Sequence, residues 1–370
     1  MSARVFTDAN LVDSDGIRRG WVMTVAGEIT AVGEGEYQGS GESVSIISLG
    51  GDYLAPGFID LHSHGGGGGS YANSAEIETT LNFHEAHGTS FSYLSLVSDS
   101  PENLRKQAAA IRTLQKQDPR ILGVHFEGPM ISPAKSGAHS PHWLLSPKDF
   151  GIEATIELLS YADYVTIAPE LPGALEVIRE LSARGVRVAI GHTNCDYETA
   201  ILAFEAGAVA VTHLFNAMNP IHHRSPGPVL AARDYEGVIV ELITDGHHLH
   251  ESVVTAAFEL FPQRIAVVTD AISAAGAPSG DYFLGDLEVV VDAETATLKN
   301  TATLAGSLLT LDSAFSKIIS YGVPFADAVT AFSSTPAKIA PNGVRIGKLE
   351  KGNNSKLLRI EEDLKLMTIN

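Results

Sequence analysis

From residue 54 to about residue 272 the chain alternates short apolar runs with longer stretches of helical period. The apolar runs at 54–61, 90–97, 121–127, 164–168, 186–191, 208–213, 238–244 and 265–270 have the length of buried strands. Helical patterns separate them at 75–87, 102–117, 152–161, 172–184, 197–206 and 252–260, with a weaker one near 229–234. The clearest is the amphipathic stretch 102–117, which follows Ser100-Pro101. Eight strand–helix alternations predict an α/β fold, a (β/α)8 TIM-like barrel rather than an open sheet.

The flanks read differently. Residues 21–25 and 29–32 form a hairpin pattern around Gly27-Glu28, 33–43 is a glycine- and glutamate-rich loop, and 45–49 is a further strand. Beyond Asp270 a loop rich in Ala, Gly and Pro precedes a hairpin pattern at 286–291 and 296–299 and helices at 308–320 and 324–332. Two more strands fit 356–360 and 364–369. The simplest organisation is a small discontinuous β-sandwich domain from residues 1–54 and 340–370 around a catalytic barrel at 55–339.

Composition narrows the function. The 370 residues suffice for one barrel plus a small domain, and 44% hydrophobic with 19% charged residues is ordinary for a soluble enzyme. A formal charge of −19 argues against nucleic acid as a partner. No apolar run approaches the ~18 residues of a membrane span, and the first residues lack the apolar core of a signal peptide. The single cysteine, Cys195, excludes an intrachain disulfide and fits a reducing cytoplasm. All 14 histidines lie between His62 and His250, so the chemistry is expected there.

Unusual polar residues recur at the carboxyl ends of the expected strands, where such barrels carry their sites. His62 and His64 close strand one, and their spacing puts both imidazoles on one face of an extended chain. A run of five glycines, Gly65 to Gly69, follows and is expected to leave room for a ligand. His125 and Glu127 close strand three, His192 strand five, His213 strand six, Asp245 to His248 strand seven, and Asp270 strand eight. Histidines with carboxylates form an N/O set suited to Zn²⁺ and also to Fe²⁺, Mn²⁺ or Co²⁺. Such an ion lowers the pKa of water from about 15.7 towards roughly 7. The reaction class implied is hydrolysis at a polarised carbonyl or phosphoryl centre, with Asp270 as a ligand or a base.

Pro56-Gly57-Phe58-Ile59-Asp60-Leu61-His62-Ser63-His64-Gly65 resembles the strand-one signature of the amidohydrolase superfamily. Phe126-Glu127-Gly128-Pro129, Ala168-Pro169-Glu170, Gly191-His192-Thr193, Thr212-His213-Leu214-Phe215-Asn216-Ala217-Met218, Asp245-Gly246-His247-His248 and Val268-Thr269-Asp270-Ala271 are similar, in kind and order, to motifs of the N-acetylglucosamine-6-phosphate deacetylase family. Leu304-Ala305-Gly306-Ser307 is a late match, and the run from His213 to Met218 is the most specific.

The resemblance implies roles. His192, His213 and Glu127 would hold one metal ion; His62 and His64, with Glu127 as bridge and Asp270 nearby, a second. Asp270 would be the catalytic base and then the acid. His139 would contact the sugar and orient the amide. Asn216, Ala217 and Arg224 would meet a phosphate, and His248 would reach the substrate of a neighbouring subunit, which implies a homodimer or dimer-based oligomer. The expected reaction is hydrolysis of N-acetylglucosamine 6-phosphate to glucosamine 6-phosphate and acetate; the galactosamine epimer or another amide substrate is the alternative, and a non-catalytic barrel is disfavoured by the intact ligand set. Two departures stand out: Asn219 follows Met218 where the family often has proline, and Gly352-Asn353-Asn354-Ser355-Lys356-Leu357 replaces a Gly-x-x-Ala-Asp run. Of the other histidines, His84 and His87 are expected on an exposed helix face, and His125 inside the barrel. His142, His222, His223, His247 and His250 are expected near the mouth. Cys195 is not expected to be a nucleophile.

Overall fold

The computed structural model describes residues 3–39, 44–354 and 356–369. Part of the loop expected at 33–43, residues 40–43, lies outside them, as does Ser355 in the tail motif. Eight parallel strands follow one another in a single sheet: β1 (Phe58–Asp60), β2 (Thr89–Leu96), β3 (Ile121–Glu127), β4 (Tyr164–Ile167), β5 (Arg187–Ile190), β6 (Ala210–Val211), β7 (Ile239–Ile243) and β8 (Ile265–Val268). Every residue of β2, β3 and β7 is buried, as strands covered by helices outside and side chains inside must be. Helices follow the strands, from Ile77–Ala86 after β1 to Leu311–Ser320 after β8. The expected barrel is therefore present.

Its last seam is closed by side chains and loops rather than by a ladder among the described residues. Thr269 donates from its hydroxyl to Asp60 Oδ2 (2.6 Å) and from its backbone N–H to Oδ1 (3.2 Å), and the Asp270 N–H reaches the His62 carbonyl (2.8 Å). The seam thus ties two expected site residues together through the main chain.

The strand expected at 54–61 is two strands. Tyr53–Pro56 pairs with Leu357–Ile360 in the second sheet, and only Phe58–Asp60 enters the barrel. Gly57 makes the break: its N–H donates to the Lys356 carbonyl (2.8 Å), and a Cβ there would strike the Ser90 side chain. A hydrophobic run shows burial but not which of two sheets buries it. The second sheet has seven strands, ordered Leu366–Ile369, Leu357–Ile360, Tyr53–Pro56, Ala3–Asp13, Gly16–Val25, Glu28–Glu34, with Val44–Ser48 also on Ala3–Asp13. Ala3–Asp13 is irregular between Phe6 and Ala9 and pairs with Val44–Ser48 through its first half and Tyr53–Pro56 through its second. Phe6, Leu11, Val22, Ile29, Leu54 and Leu357 form the core of this unit.

One further difference bears on the site. Between β8 and Leu311–Ser320 lies a three-stranded antiparallel sheet, Gly280–Leu284, Leu287–Val291 and Ala296–Leu298, where only the last two strands were expected. Gly280–Leu284 is mostly exposed, so no buried alternation marks it. Val289, Val291 and Ala296 pack on Ala138, Ile272 and Ala274, which sets this sheet beside the barrel's carboxyl end.

Asp13 ties the ends of the chain together. Its carboxylate takes both Arg18 guanidinium nitrogens (2.9 and 3.2 Å) and the backbone N–H of Leu349 (3.1 Å). Burial pushes this carboxyl up, but Arg18 and the backbone donors bring it below its ordinary value. Asp13→Ala is expected to cost about 2 kcal/mol in denaturant unfolding at neutral pH, the scale of hydrogen bonds to a charged group. Because the folded-state pKa is depressed, this contribution is complete above the ordinary aspartate pKa of about 3.9 and fades as pH falls through the lower folded value. The wild-type advantage should therefore shrink only in acid.

Candidate active site

The strand ends set the site. His62 and His64 follow β1, Glu127 is the last residue of β3, and His192, His213 and Asp270 follow β5, β6 and β8. Three of these leave their strands with left-handed backbone: His192 at φ 46°, His213 at φ 27° and Asp270 at φ 48°. Such angles cost an L-residue about 1–3 kcal/mol and persist only where the surroundings hold them. The surroundings do so. The Ser132 N–H reaches the His192 carbonyl (2.9 Å), the Asn216 N–H reaches the His213 carbonyl (3.0 Å), and the Asp270 carbonyl accepts the Ser307 N–H (2.7 Å).

Glu127 stands at the centre. Its Oε1 lies 3.0 Å from His192 Nε2 and 3.1 Å from His213 Nε2; its Oε2 lies 3.1 Å from His64 Nε2, 3.2 Å from His139 Nε2 and 3.4 Å from His62 Nε2. Asp270 Oδ1 is 3.3 Å from His64 Nε2 and 3.5 Å from His62 Nε2. All seven side chains are buried. Burial pushes the two carboxyls up, yet the imidazoles, His62 foremost, bring Asp270 below and Glu127 well below the ordinary range. Burial pushes His62 and His64 down, yet Glu127 and Asp270 raise both, His62 strongly. The field at these nitrogens favours positive charge.

The donors fit a divalent cation. His62, His64, Glu127 and Asp270 form one group able to hold an ion, and Glu127, His139 and His192 form another. Tetrahedral coordination at about 2.0–2.1 Å sets neighbouring donors about 3.3–3.4 Å apart, and the Nε2–carboxylate separations run from 3.0 to 3.5 Å. Proton wiring separates ligands from a bystander. His62 Nδ1 faces Glu241 Oε2 (3.2 Å) and His192 Nδ1 faces the Lys135 carbonyl (2.7 Å), both acceptors, so these rings carry the proton on Nδ1 and turn the Nε2 lone pair inward. His139 is reversed. The Ser98 backbone N–H donates to its Nδ1 (3.2 Å), so a neutral ring carries its proton on Nε2. Burial depresses the His139 pKa to about 4 despite Glu127, which keeps the ring neutral. His139 is thus an inward-pointing donor. His213 needs no such wiring to stand in the cluster: its Nε2 is 3.0 Å from His192 Nε2.

These groups face a cavity of about 360 Å³, whose wall also carries Lys135, Asn216, Ala217, His248, Leu284 and Leu304. The last two come from the antiparallel sheet at 280–298 and its return loop. His248 lines this chain's own cavity, with Nδ1 2.7 Å from Asp245 Oδ2. Arg224 is exposed on the loop after β6, with Nη1 2.7 Å from His223 Nε2, and does not line the cavity. The cation that does is Lys135, whose Nζ donates to the Met218 carbonyl (3.1 Å) beside Asn216 and Ala217.

Other expectations change too. The glycine run lines no part of this cavity. Gly65–Gly66 and Gly69–Ser70 form a tight hairpin, and a Cβ at Gly65 or Gly66 would collide with Ser273 or with Phe83 and His84. His84 is buried beneath it, with Nε2 2.9 Å from the Gly65 carbonyl, while His87 is half-buried and paired with Asp312 (2.8 Å). His142, His222, His223, His247 and His250 are exposed and line no part of the cavity. His125 is inside the barrel as expected, between Ser95 Oγ and Thr166 Oγ1, each at 2.9 Å. Burial pushes the Cys195 thiol up to about 12, consistent with an inert residue. Sequence reasoning missed Glu241, Lys135 and Ser98. A carboxylate inside the apolar run 238–243 was a usable signal for the first. Lys135 shares a loop with His139, and Ser98 meets His139 Nδ1 through both its main-chain N–H and its hydroxyl, across 41 residues of chain.

A barrel that gathers imidazoles and carboxylates from its strand ends around one glutamate is an amidohydrolase. No family model matches the chain. It is 32% identical over 331 residues to the N-acetylglucosamine-6-phosphate deacetylase of Vibrio furnissii, covering 86% of this chain and 82% of that one. It is 31% identical over 338 residues to the N-acetylgalactosamine-6-phosphate deacetylase of Escherichia coli O157:H7, covering 88% of each. Among solved structures, an aspartate-to-alanine mutant of the N-acetyl-D-glucosamine-6-phosphate deacetylase of Mycobacterium smegmatis, in complex with N-acetyl-D-glucosamine-6-phosphate, superposes with TM-score 0.91 at 32% identity, covering 100% of this chain and 98% of that one. The chain belongs to the N-acetylglucosamine-6-phosphate deacetylase family.

The wiring predicts how variants divide. Glu127→Ala should abolish tight divalent-cation binding measured by elemental analysis after gel filtration. His139→Ala should retain wild-type metal content, and its loss of metal would contradict the donor assignment.

Proposed function

We propose that this chain hydrolyses the acetamide of N-acetylglucosamine 6-phosphate, giving glucosamine 6-phosphate and acetate, with one or two divalent cations held by His62, His64, Glu127, His192 and His213. One observation carries the reading: His64, Glu127, His192, His213, the Asp270 carboxylate and the inward His139 N–H all face one cavity whose wall also carries Lys135, Asn216 and Ala217, with His62 buried directly behind Glu127. A cation bound there supplies Lewis acidity and lowers the pKa of water from about 15.7 to about 7. Zinc suits this N/O donor set, as do iron, manganese and cobalt. The single buried cysteine fits a cytoplasmic enzyme, and no helix among the described residues is long and apolar enough to cross a membrane.

The chain's own residues divide the remaining work. Asp270, ionised at neutral pH, accepts the proton of the attacking water as the new C–O bond forms, and returns it to the amine nitrogen as the C–N bond breaks. His139 Nε2–H donates to the acetamide oxygen, where negative charge develops. Asn216, the Ala217 backbone and Lys135 hold the phosphate. This remote binding positions the amide and accounts for a preference for the phosphorylated sugar. Arg224 is the alternative phosphate contact and would need its loop to turn inward. The galactosamine epimer is a second reading, favoured by the relative that bears that name.

The test is acetate release from both epimers of the phosphorylated sugar and from free N-acetylglucosamine, with and without chelator. Chelator-sensitive release that favours N-acetylglucosamine 6-phosphate is expected. Equal release from the phosphorylated and free sugars would remove the phosphate from the reading. Asp270→Asn should lower kcat by roughly 10²–10⁴, the usual weight of a general acid–base group. Lys135→Met should raise KM for the phosphorylated sugar about tenfold, in line with a lost charged hydrogen bond, and leave turnover of the free sugar unchanged. A KM effect confined to Arg224→Ala would transfer that role to the loop.

A further inference from the structure

Glu241 lies within β7, where every residue is buried, and its own exposure is 0%. A carboxylate in such a place persists only if its lone pairs are used. Its Oε1 accepts the Tyr164 hydroxyl (2.6 Å). Its Oε2 faces two parts of the metal centre: the His62 Nδ1 at 3.2 Å and the His213 backbone N–H at 3.3 Å. One carboxylate therefore joins β7 to β4 and to the ends of β1 and β6. The two histidines it touches stand at opposite oxygens of Glu127, His62 at Oε2 and His213 at Oε1.

We infer that Glu241 is a positioning residue that sets both halves of the metal centre, by holding the His62 proton on Nδ1 and pinning the left-handed turn at His213. The inference rests on the reading of His62 and His213 as ligands. The physical reason is geometric. A ring free to choose its tautomer can present either a lone pair or a proton to the cation, and a carboxylate at Nδ1 removes the second option. At His213 the main chain is strained (φ 27°), and the bond from its N–H is one of the few that fix the turn. Tyr164 completes the arrangement from below, because its hydroxyl donates to the oxygen of Glu241 that the histidines do not use.

Glutamine and leucine at this position separate hydrogen bonding from packing. The amide oxygen of Glu241→Gln can still accept from His62 and His213, while its NH₂ donates to the Tyr164 oxygen. Glu241→Leu fills similar space and accepts nothing. Zinc affinity is measured on the whole protein by competition with a chromophoric chelator, with circular dichroism as the check on folding. The expected result is a loss of roughly 10–100-fold for Glu241→Leu, the usual effect of removing an outer-sphere partner. Glu241→Gln should stay within a few-fold of wild type. Wild-type affinity in a folded Glu241→Leu protein overturns the inference, and so does a glutamine variant as weak as the leucine one. If Glu241→Leu does not fold, nitrogen-15 spectra of the zinc-loaded wild type decide: His62 should carry its proton on Nδ1, and a proton on Nε2 overturns the inference. A wild-type protein that binds no zinc, manganese or cobalt would instead sink the metal reading, and the role of Glu241 with it.

Discussion

The structure depends on keeping one carboxylate ionised inside a barrel. Glu127 is almost wholly buried, a position in which an unpaired charge would not survive. It is tolerated because five imidazole nitrogens lie within 3.4 Å of its two oxygens, from segments that follow four different strands. That requirement fixes how the strands must end. It explains why polar residues crowd one end of the barrel and why the backbone turns sharply at two of the histidines.

Proximity alone does not distinguish these imidazoles. Three of them differ in the group behind the ring: His62 and His192 have an acceptor behind Nδ1, which leaves Nε2 free to ligate, and His139 has a backbone N–H there, which leaves Nε2 as a donor. The same shell can thus hold a cation and polarise a substrate without exchanging roles. The antiparallel sheet beside the barrel mouth and its return loop add Leu284 and Leu304 to the cavity wall.

Much of this was legible in the sequence. Eight apolar runs with helical spacers carry the barrel, and the His-x-His pair, Glu127, His192, His213 and Asp270 fall at strand ends because that is where a barrel presents side chains. What was not legible depended on partners distant in the chain. The division at Gly57 requires knowing that Lys356 lies alongside. The inward turn of His248 comes from Asp245, three residues earlier, and its spacing fits a surface loop equally well. Glycines 65–69 suggested open space, whereas their lack of side chains allows close packing against Ser273 and Phe83. Arg224, singled out by resemblance, lies exposed on the loop after β6, whereas Lys135 lines the cavity; a loop's direction cannot be read from its composition.

The left-handed turns at His192, His213 and Asp270 have a consequence for how this protein can change. His62 and His64 sit outside that region, so replacing them alters chemistry with little backbone relief. At the other three positions a side chain is kept where glycine would be more comfortable. Glycine at His192 or His213 would relieve the turn but take an imidazole away from the buried Glu127, so backbone strain and charge pairing pull in opposite directions there.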